Sequence, residues 1–276
     1  MNEISVLLIC FGMNMLVNTS KTVDRGVYLS MSFIMAVHAL TGTAIVVSGA
    51  MALLLSKGSS QHKLADRLFV GLMLLMGPVV AAGAWLAPGS ISPLGMLFVC
   101  FIIYLVVSAW STIRRSERLL APLDMVAPVV ALGISITGLL MGFDAFGNPS
   151  VGKDIPPKEA YFFFAALAFI AMLLDANNLR VGGVRGKHRI VRHVWRMSCA
   201  LFFATASFFT GPGSIVFPES VRGNPVLSIP QFLVVILALF WIYRLLFPKR
   251  RSFPKDITTA LESRNSTNSQ TESKLS

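Results

Sequence analysis

The stretch Leu94–Ile113, with Phe101-Ile102-Ile103-Tyr104-Leu105-Val106-Val107 at its centre, decides the fold class because it contains no charged side chain. As an α-helix these residues would be about 30 Å long, which matches the hydrocarbon core of a bilayer. Inside lipid the backbone must satisfy its own hydrogen bonds, so only helices and closed barrels cross a membrane. Barrel strands alternate apolar and polar residues, and this run does not. The stretch therefore predicts a transmembrane α-helix.

The composition of the whole chain extends this prediction. Of the 276 residues, 54% are hydrophobic and 13% are charged, and the mean hydropathy is +0.69. A soluble domain carries about 25% charged residues, which it needs to cover its surface. The sequence therefore predicts an all-α integral membrane helix bundle.

Uncharged stretches recur along the chain and predict about seven transmembrane helices. The predicted spans are Val27–Leu55, Leu68–Leu86, Leu94–Ile113, Met125–Phe143, Ala160–Leu174, Met197–Phe217 and Val226–Phe247. The predicted organisation has three parts, namely an N-terminal apolar segment with an outer loop (1–26), the seven-helix domain (27–247) and a disordered cytoplasmic tail (248–276). The tail is rich in Ser, Thr, Asn and Glu and cannot bury enough apolar area to fold alone.

The basic residues predict the orientation of the bundle. The loops after the first, third and fifth spans, together with the C-terminal end, hold 19 of the 24 Lys and Arg residues. Lys and Arg retain short loops in the cytoplasm, so this bias predicts a multi-pass protein of the inner membrane with a cytoplasmic C-terminus. The net charge of +11 is explained by this topology, and nucleic acid is not a predicted partner. The predicted partners are membrane lipids, with a homo-oligomer or other membrane subunits left open.

The N-terminal segment Ile4–Val17 is apolar but short for a span, which needs about 20 residues. Its leader, Met1-Asn2-Glu3, lacks the positive charge of a secretory signal. An extra span, an interfacial segment, a cleaved signal and a mis-assigned start all remain open.

Ionisable residues within or near the spans are the candidate site residues. Asp175 lies near the inner end of the fifth span and His38 lies in the outer half of the first. Such groups are costly in lipid and usually face the bundle interior or a cavity. His38 shares a helical stripe with Gly42, Ile45 and Gly49, which favours a packing face.

A second group of ionisable residues lies on the predicted cytoplasmic side. His62 and Asp66 are four residues apart, so they share a helix face. Imidazole and carboxylate groups suit a divalent first-row metal, and the predicted metal ligands are His62, Asp66 and His193. Solvated or lipid-bound histidines explain the same pattern.

A haem held between helices is a further hypothesis. The predicted cofactor-binding residues are His38, His62, His188 and His193, with haem b or a divalent metal as the cofactor. The sequence contains no GxxxxGK[ST], HExxH or GxSxG motif, so it favours a non-enzymatic protein. The sequence favours a helix bundle that has a structural role or binds a lipophilic small molecule. A membrane redox component and a small-molecule transporter are the alternatives.

Several short blocks resemble a family of predicted bacterial membrane proteins known as domain of unknown function 2306. The blocks are Val37–Gly42, Lys57–Arg67, Arg192–Met197, Ser207–Gly211 and Phe240-Trp241. The resemblance covers most of Tyr28–Phe247 and implies a multi-pass inner-membrane protein. It implies no reaction and assigns no catalytic residue.

Overall fold

The computed structural model describes residues 25–88, 91–114, 120–147 and 158–247. Within these ranges the chain forms seven α-helices and no β-strand. The helices are α1 (Arg25–Leu54), α2 (Ser60–Leu86), α3 (Pro93–Arg114), α4 (Pro122–Gly147), α5 (Lys158–Arg180), α6 (Gly186–Phe209) and α7 (Ile229–Leu246). Two short 3₁₀ helices, Pro212–Val216 and Pro225–Ser228, connect α6 to α7. The N-terminal segment 4–17 and the tail 248–276 lie outside the described residues.

The predicted fold class is confirmed, because the protein is an all-α helix bundle of a multi-pass membrane protein. All the helices except α6 contain an apolar stretch that is long enough to cross a bilayer. A compact unit ends at Leu245, and a second unit, Leu246–Ser276, has only its first two residues among those described. The predicted boundaries of the domain and of the tail stay predictions.

Helix ends follow local sequence signals. Ser59 caps α2, where its side chain accepts a hydrogen bond from the His62 amide at 3.1 Å. Pro93 is the first residue of α3. Proline suits this position because an amide hydrogen in the first turn has no acceptor within the helix. Gly182 and Gly183, with φ of 68° and 98°, end α5 in the left-handed conformation that glycine tolerates.

Two helices begin several residues before the spans that the sequence predicts. α2 begins at Ser60 rather than Leu68, and α6 begins at Gly186 rather than Met197. The additional turns carry His62 and Asp66 in α2 and the basic residues Arg189 to Arg196 in α6. These charged residues form helix because they find partners on neighbouring helices, as described below.

The interior of the bundle changes character along its axis. We call the end where α1, α3 and α5 finish the basic end, because the loops there carry the arginines. Toward the opposite end, Phe98, Phe164 and Phe203 pack with ring centroids 5.0 to 5.7 Å apart. Toward the basic end, buried charged side chains replace the aromatic ones. The candidate functional residues are therefore concentrated in one half of the bundle.

Candidate functional site

Asp175 on α5 is the centre of a network of buried polar groups. Its Oδ1 accepts hydrogen bonds from Arg192 Nη2 at 2.8 Å and from Arg196 Nη2, while its Oδ2 accepts one from the Tyr104 hydroxyl at 2.5 Å. Asp175 and Arg196 are fully buried. As expected for an ionisable group within a span, the carboxylate faces the bundle interior. Three donors replace the water that the carboxylate loses on burial.

Asp124 on α4 and Ser108 on α3 complete the network. Arg192 Nη1 lies 3.5 Å from Asp124 Oδ1, and Arg196 Nη1 donates to the Ser108 hydroxyl. The other carboxylate oxygen of Asp124 accepts from the Ala121 amide at 3.0 Å and so begins α4. We call these six residues the ion network: Tyr104, Ser108, Asp124, Asp175, Arg192 and Arg196.

The ion network joins four helices through side chains of opposite charge. Two guanidinium groups from α6 face two carboxylates, one from α4 and one from α5, and α3 adds two hydroxyl groups. Breaking a buried ion pair by removing one partner costs about 3–5 kcal/mol, because the remaining charge is left without compensation. The arrangement can therefore hold α3, α4, α5 and α6 in one relative position.

The network extends deep into the bundle. Arg196 is ten residues from the start of α6 and Tyr104 ten residues from the end of α3, which places both about 15 Å from the basic end. That depth is about half of a bilayer's hydrocarbon core. The buried Nε atoms of Arg192 and Arg196 have no hydrogen-bond partner among the described groups. They are the two unsatisfied buried donors of an otherwise fully bonded cluster.

A second set of contacts runs along the carboxyl end of α3. Arg189 donates from Nε to the Thr112 carbonyl at 2.7 Å and from Nη2 to the Ile113 carbonyl at 2.5 Å. His193 Nδ1 lies 3.3 Å from the Ala109 carbonyl. The last carbonyls of a helix have no partner within it and carry partial negative charge, so cationic groups are favoured there.

The sequence predicts a cytoplasmic loop for Arg189, Arg192 and Arg196, whereas the structure places them in α6 with partners on α3, α4 and α5. The available signal was spacing, because Arg189, Arg192, His193 and Arg196 follow the i, i+3, i+4, i+7 pattern of one helix face. That pattern is normally read for apolar residues. Here it marks a basic face that is turned inward, toward α3 and Asp175.

The predicted metal ligands are partly brought together. His193 Nε2 lies 3.5 Å from Asp66 Oδ1, which joins α6 to α2. His62, one turn before Asp66, lies with Nδ1 2.9 Å from the Ala52 carbonyl of α1. Among the described residues, no three His, Cys, Asp or Glu side chains form a group that could hold a metal ion. The metal site stays a prediction.

The four predicted haem-binding histidines occupy different places. His188 is exposed at the start of α6, and His193 faces Asp66. His38 is half-buried on α1, 14 residues or about 21 Å along the helix from the carbonyl that His62 approaches. His38 is therefore separate from the other three, and a haem stays a prediction.

The stripe that contains His38 is a packing face. Ile45 is 2% exposed, and a Cβ on Gly49 would lie 2.5 Å from Leu201 Cδ1 on α6. A Cβ on Gly42 would be 3.8 Å from the Phe208 ring. The glycines thus allow α1 to approach α6 closely, as small residues do between membrane helices.

An apolar groove lies between α1 and α2 toward the end opposite the basic end. Its volume is about 220 Å³, and it is lined by Phe33, Ile34, Val37, Pro78, Val79 and Ala82. Phe33 is 69% exposed, so the groove opens at the outer surface of the bundle. His38 follows the groove residue Val37 and lies one turn from Ile34. The half-buried His38 is therefore close to the groove along α1, while the stripe that it shares with Gly42 and Gly49 faces α6.

The carboxyl end of α1 holds α7 to the bundle. Lys57 Nζ donates to the carbonyls of Ala52 and Leu53 at 2.8 and 2.9 Å, and Trp241 Nε1 donates to the Leu53 carbonyl at 3.1 Å. Lys57 Nζ also lies 4.7 Å from the centre of the Trp241 ring. Partial loss of water around its ammonium group lowers the pKa of Lys57 to about 8, and the Asp66 charge opposes part of the shift.

The chain matches no protein-family model, and no curated protein or solved structure is similar to it at a significant level. The described residues form a multi-pass membrane bundle with buried charged side chains in one half and an apolar, aromatic interior in the other.

Proposed function

We propose that this protein is a non-enzymatic, multi-pass protein of the bacterial inner membrane that binds a lipophilic small molecule from the bilayer. The observation that carries the proposal is the apolar groove between α1 and α2, beside His38. A molecule dissolved in the bilayer reaches such a groove sideways, without crossing the ion network.

The size and lining of the groove indicate what part of a ligand it takes. An apolar cavity of about 150 Å³ is enough to bind benzene, so about 220 Å³ suits one ring or a short chain segment. All six lining side chains are apolar, and specificity in such pockets comes from a few polar groups at the edge. His38 is such a group, since an imidazole both donates and accepts hydrogen bonds.

Photolabelling tests this proposal. The probe is a long-chain alcohol that carries a diazirine, and labelled peptides are quantified by mass spectrometry in membranes. We expect the peptides that contain Phe33–Val37 and Pro78–Ala82 to be labelled, and Ala82→Trp, which fills the groove, to reduce this labelling at least fivefold. His38→Ala should reduce it less, because it removes one polar contact and leaves the apolar lining in place.

The control is Val129→Trp on α4, where the native side chain is 68% exposed and lies outside the groove. This variant should leave labelling of the groove peptides unchanged. Equal labelling of the groove peptides in native protein and in Ala82→Trp would contradict the proposal, because the probe would then report general contact with lipid.

The orientation proposed for the protein places the basic end in the cytoplasm. The support is the distribution of Lys and Arg, of which 19 of 24 lie in the loops and tail on one side. A reporter enzyme that is active only in the cytoplasm, fused after Ser276, should be active. Inactivity of the reporter in a well-expressed fusion would contradict this orientation.

A metal- or haem-binding redox component is a second candidate, and the contact between His193 and Asp66 favours it. The Nδ1 atoms of His62 and His193 both face backbone carbonyls, as in metal-binding histidines, and Nε2 of His193 faces Asp66 Oδ1, a second candidate ligand, at 3.5 Å. Protein purified in detergent would then show a Soret band or about one bound metal per chain. Loss of that signal in Asp66→Ala or His62→Ala would support the candidate, and a colourless, metal-free preparation would contradict it.

A further inference from the structure

α6 stands apart from the other helices because its first half is basic. Lys187, Arg189, Arg192, His193 and Arg196 all lie within its first eleven residues. Each of the other six helices contains a stretch that is apolar enough to cross a membrane, and α6 does not. Yet α6 packs centrally, since Arg196, Ala200, Leu201 and Phe203 are all at most 4% exposed.

The apolar half of α6 is too short to cross a bilayer alone. Met197–Phe209 has 13 residues, or about 20 Å of helix, against about 30 Å of hydrocarbon. About seven further residues must therefore lie at hydrocarbon depth, and these include Arg192 and Arg196. An arginine near the centre of an inserting helix opposes insertion strongly unless its charge is compensated.

The compensation for these charges comes from the helices that precede α6. Asp175 on α5 accepts hydrogen bonds from both arginines, and Asp124 on α4 lies 3.5 Å from Arg192. α5 and α6 are joined by a short connection, Val181–Arg185, and the arginine side chains of α6 reach across to the α5 carboxylate.

We infer that α6 becomes transmembrane only as a pair with α5, and that Asp175 is the residue on which its insertion depends. Without Asp175, two guanidinium groups would enter the hydrocarbon with Asp124, 3.5 Å from Arg192, as the one carboxylate left among the described residues beside them. α6 would then remain on the basic side, and the turn that follows it would fail to cross. Asp175 is in this sense a positioning residue for the whole second half of the bundle.

Accessibility of the turn after α6 tests the inference in the full chain. Cys10, Cys100 and Cys199 are replaced by alanine, and Glu219→Cys places one thiol in that turn, where the native side chain is exposed. Intact cells are treated with a membrane-impermeant maleimide, and newly made chains are analysed before degradation acts. Labelling of the Glu219→Cys protein that keeps Asp175 shows on which side of the membrane the turn lies. The difference between this protein and its variants shows how far insertion of α6 depends on Asp175.

Three variants are compared in that background. Asp175→Leu should reduce labelling from outside at least fivefold, with full labelling after permeabilisation. Glu159→Gln, which removes an exposed carboxylate at the other end of α5, should leave labelling unchanged. The triple variant Asp175→Leu, Arg192→Leu and Arg196→Met removes both charges of α6 along with their partner, and it should restore labelling to near the native level.

Two results would overturn the inference. Native-level labelling in Asp175→Leu would show that α6 inserts without its partner. Labelling of the triple variant that stays as low as that of Asp175→Leu would show that the defect comes from lost packing at position 175 and not from the uncompensated arginines.

Discussion

Arg192 Nη2 on α6 and Asp175 Oδ1 on α5 lie 2.8 Å apart, and both side chains are more than nine-tenths buried. Burying such a pair removes water from both charged groups, which is costly in free energy. The contacts within the pair offset this cost only when every charge has a well-placed partner. Here the same carboxylate also binds Arg196 and Tyr104, so removing it disturbs three contacts at once. The relationship makes the basic half of the bundle sensitive to single substitutions.

Asp175→Asn should destabilise the protein by about 3–5 kcal/mol, because it leaves two buried guanidinium groups with Asp124 as their one remaining carboxylate. Unfolding in detergent, followed by helix content against denaturant, measures the change. Glu159→Gln is the matched control, since this carboxylate is exposed on the same helix. An effect of Asp175→Asn no larger than that of the control would contradict the ion network.

Gly49→Ala should cost about 1–3 kcal/mol, because the new Cβ would lie 2.5 Å from Leu201 Cδ1 and 2.9 Å from the Phe69 ring. Gly71→Ala on α2 is the comparison, since nothing lies within 4 Å of its Cβ position. That variant should be neutral or more stable by up to about 1 kcal/mol, through better helix propensity. Thermal unfolding of the two variants in the same detergent measures the difference in stability. Equal unfolding temperatures would count against close packing of α1 on α6.

Trp241→Phe should loosen α7, because it removes the hydrogen bond to the Leu53 carbonyl and weakens the contact with Lys57. A neutral hydrogen bond contributes about 1 kcal/mol, or roughly a fivefold change in an opening equilibrium. Amide hydrogen exchange in peptides of Ile229–Leu246 should therefore accelerate about fivefold. Phe232→Leu, at a position on the same helix that is 61% exposed, should leave exchange unchanged; acceleration of the same size there would contradict a specific role for Trp241.

Lys57 should react with an acylating reagent at lower pH than an ordinary lysine. Partial loss of water around the ammonium group lowers its pKa from the usual 10.5 to about 8. The neutral amine is the reactive form, so the reaction rate should reach half its maximum near pH 8. Between about pH 8 and 10.5 the unfolded chain holds this proton and the folded chain does not, so the contribution of this group to stability rises with pH. Competitive labelling with acetic anhydride measures the midpoint.

Asp66→Asn tests the direction in which the neighbouring charge shifts the pKa of Lys57. The Asp66 charge raises the pKa of Lys57, so its removal should move the labelling midpoint below that of the native protein. Glu219→Gln, in the turn after α6, is the control and should leave the midpoint in place. A midpoint that moves upward in Asp66→Asn would refute this account of the lysine.

The sequence predicted the class of the protein because that class depends on local composition. A segment that crosses lipid must be long and uncharged, and Leu94–Ile113 can be recognised as such a segment from its own residues alone. The packing stripe of His38, Gly42, Ile45 and Gly49 was likewise predictable, since helical spacing is a property of one segment. Hydropathy also marked Asp175 as exceptional, because a charge in a span is costly wherever it lies.

The partners of the charged residues could not be predicted in the same way. Arg192 and Arg196 were assigned to a loop, because a basic residue beside a span usually belongs to the cytoplasmic side. Their actual place depends on Asp175, 17 and 21 positions earlier in the chain, and on Ser108 and Tyr104 on another helix. No local pattern contains that information, since it arises when four helices pack.

The sequence by itself thus determined that the chain lies in a membrane as a bundle of helices, because the transfer of each segment into lipid is a sum over its own residues. The tertiary structure alone decided that α6 turns its basic face inward and that its two buried arginines face the carboxylates of Asp175 and Asp124. The physical reason is that a buried charge is stable only beside its counter-charge, and that proximity is a property of the packed bundle rather than of any one helix.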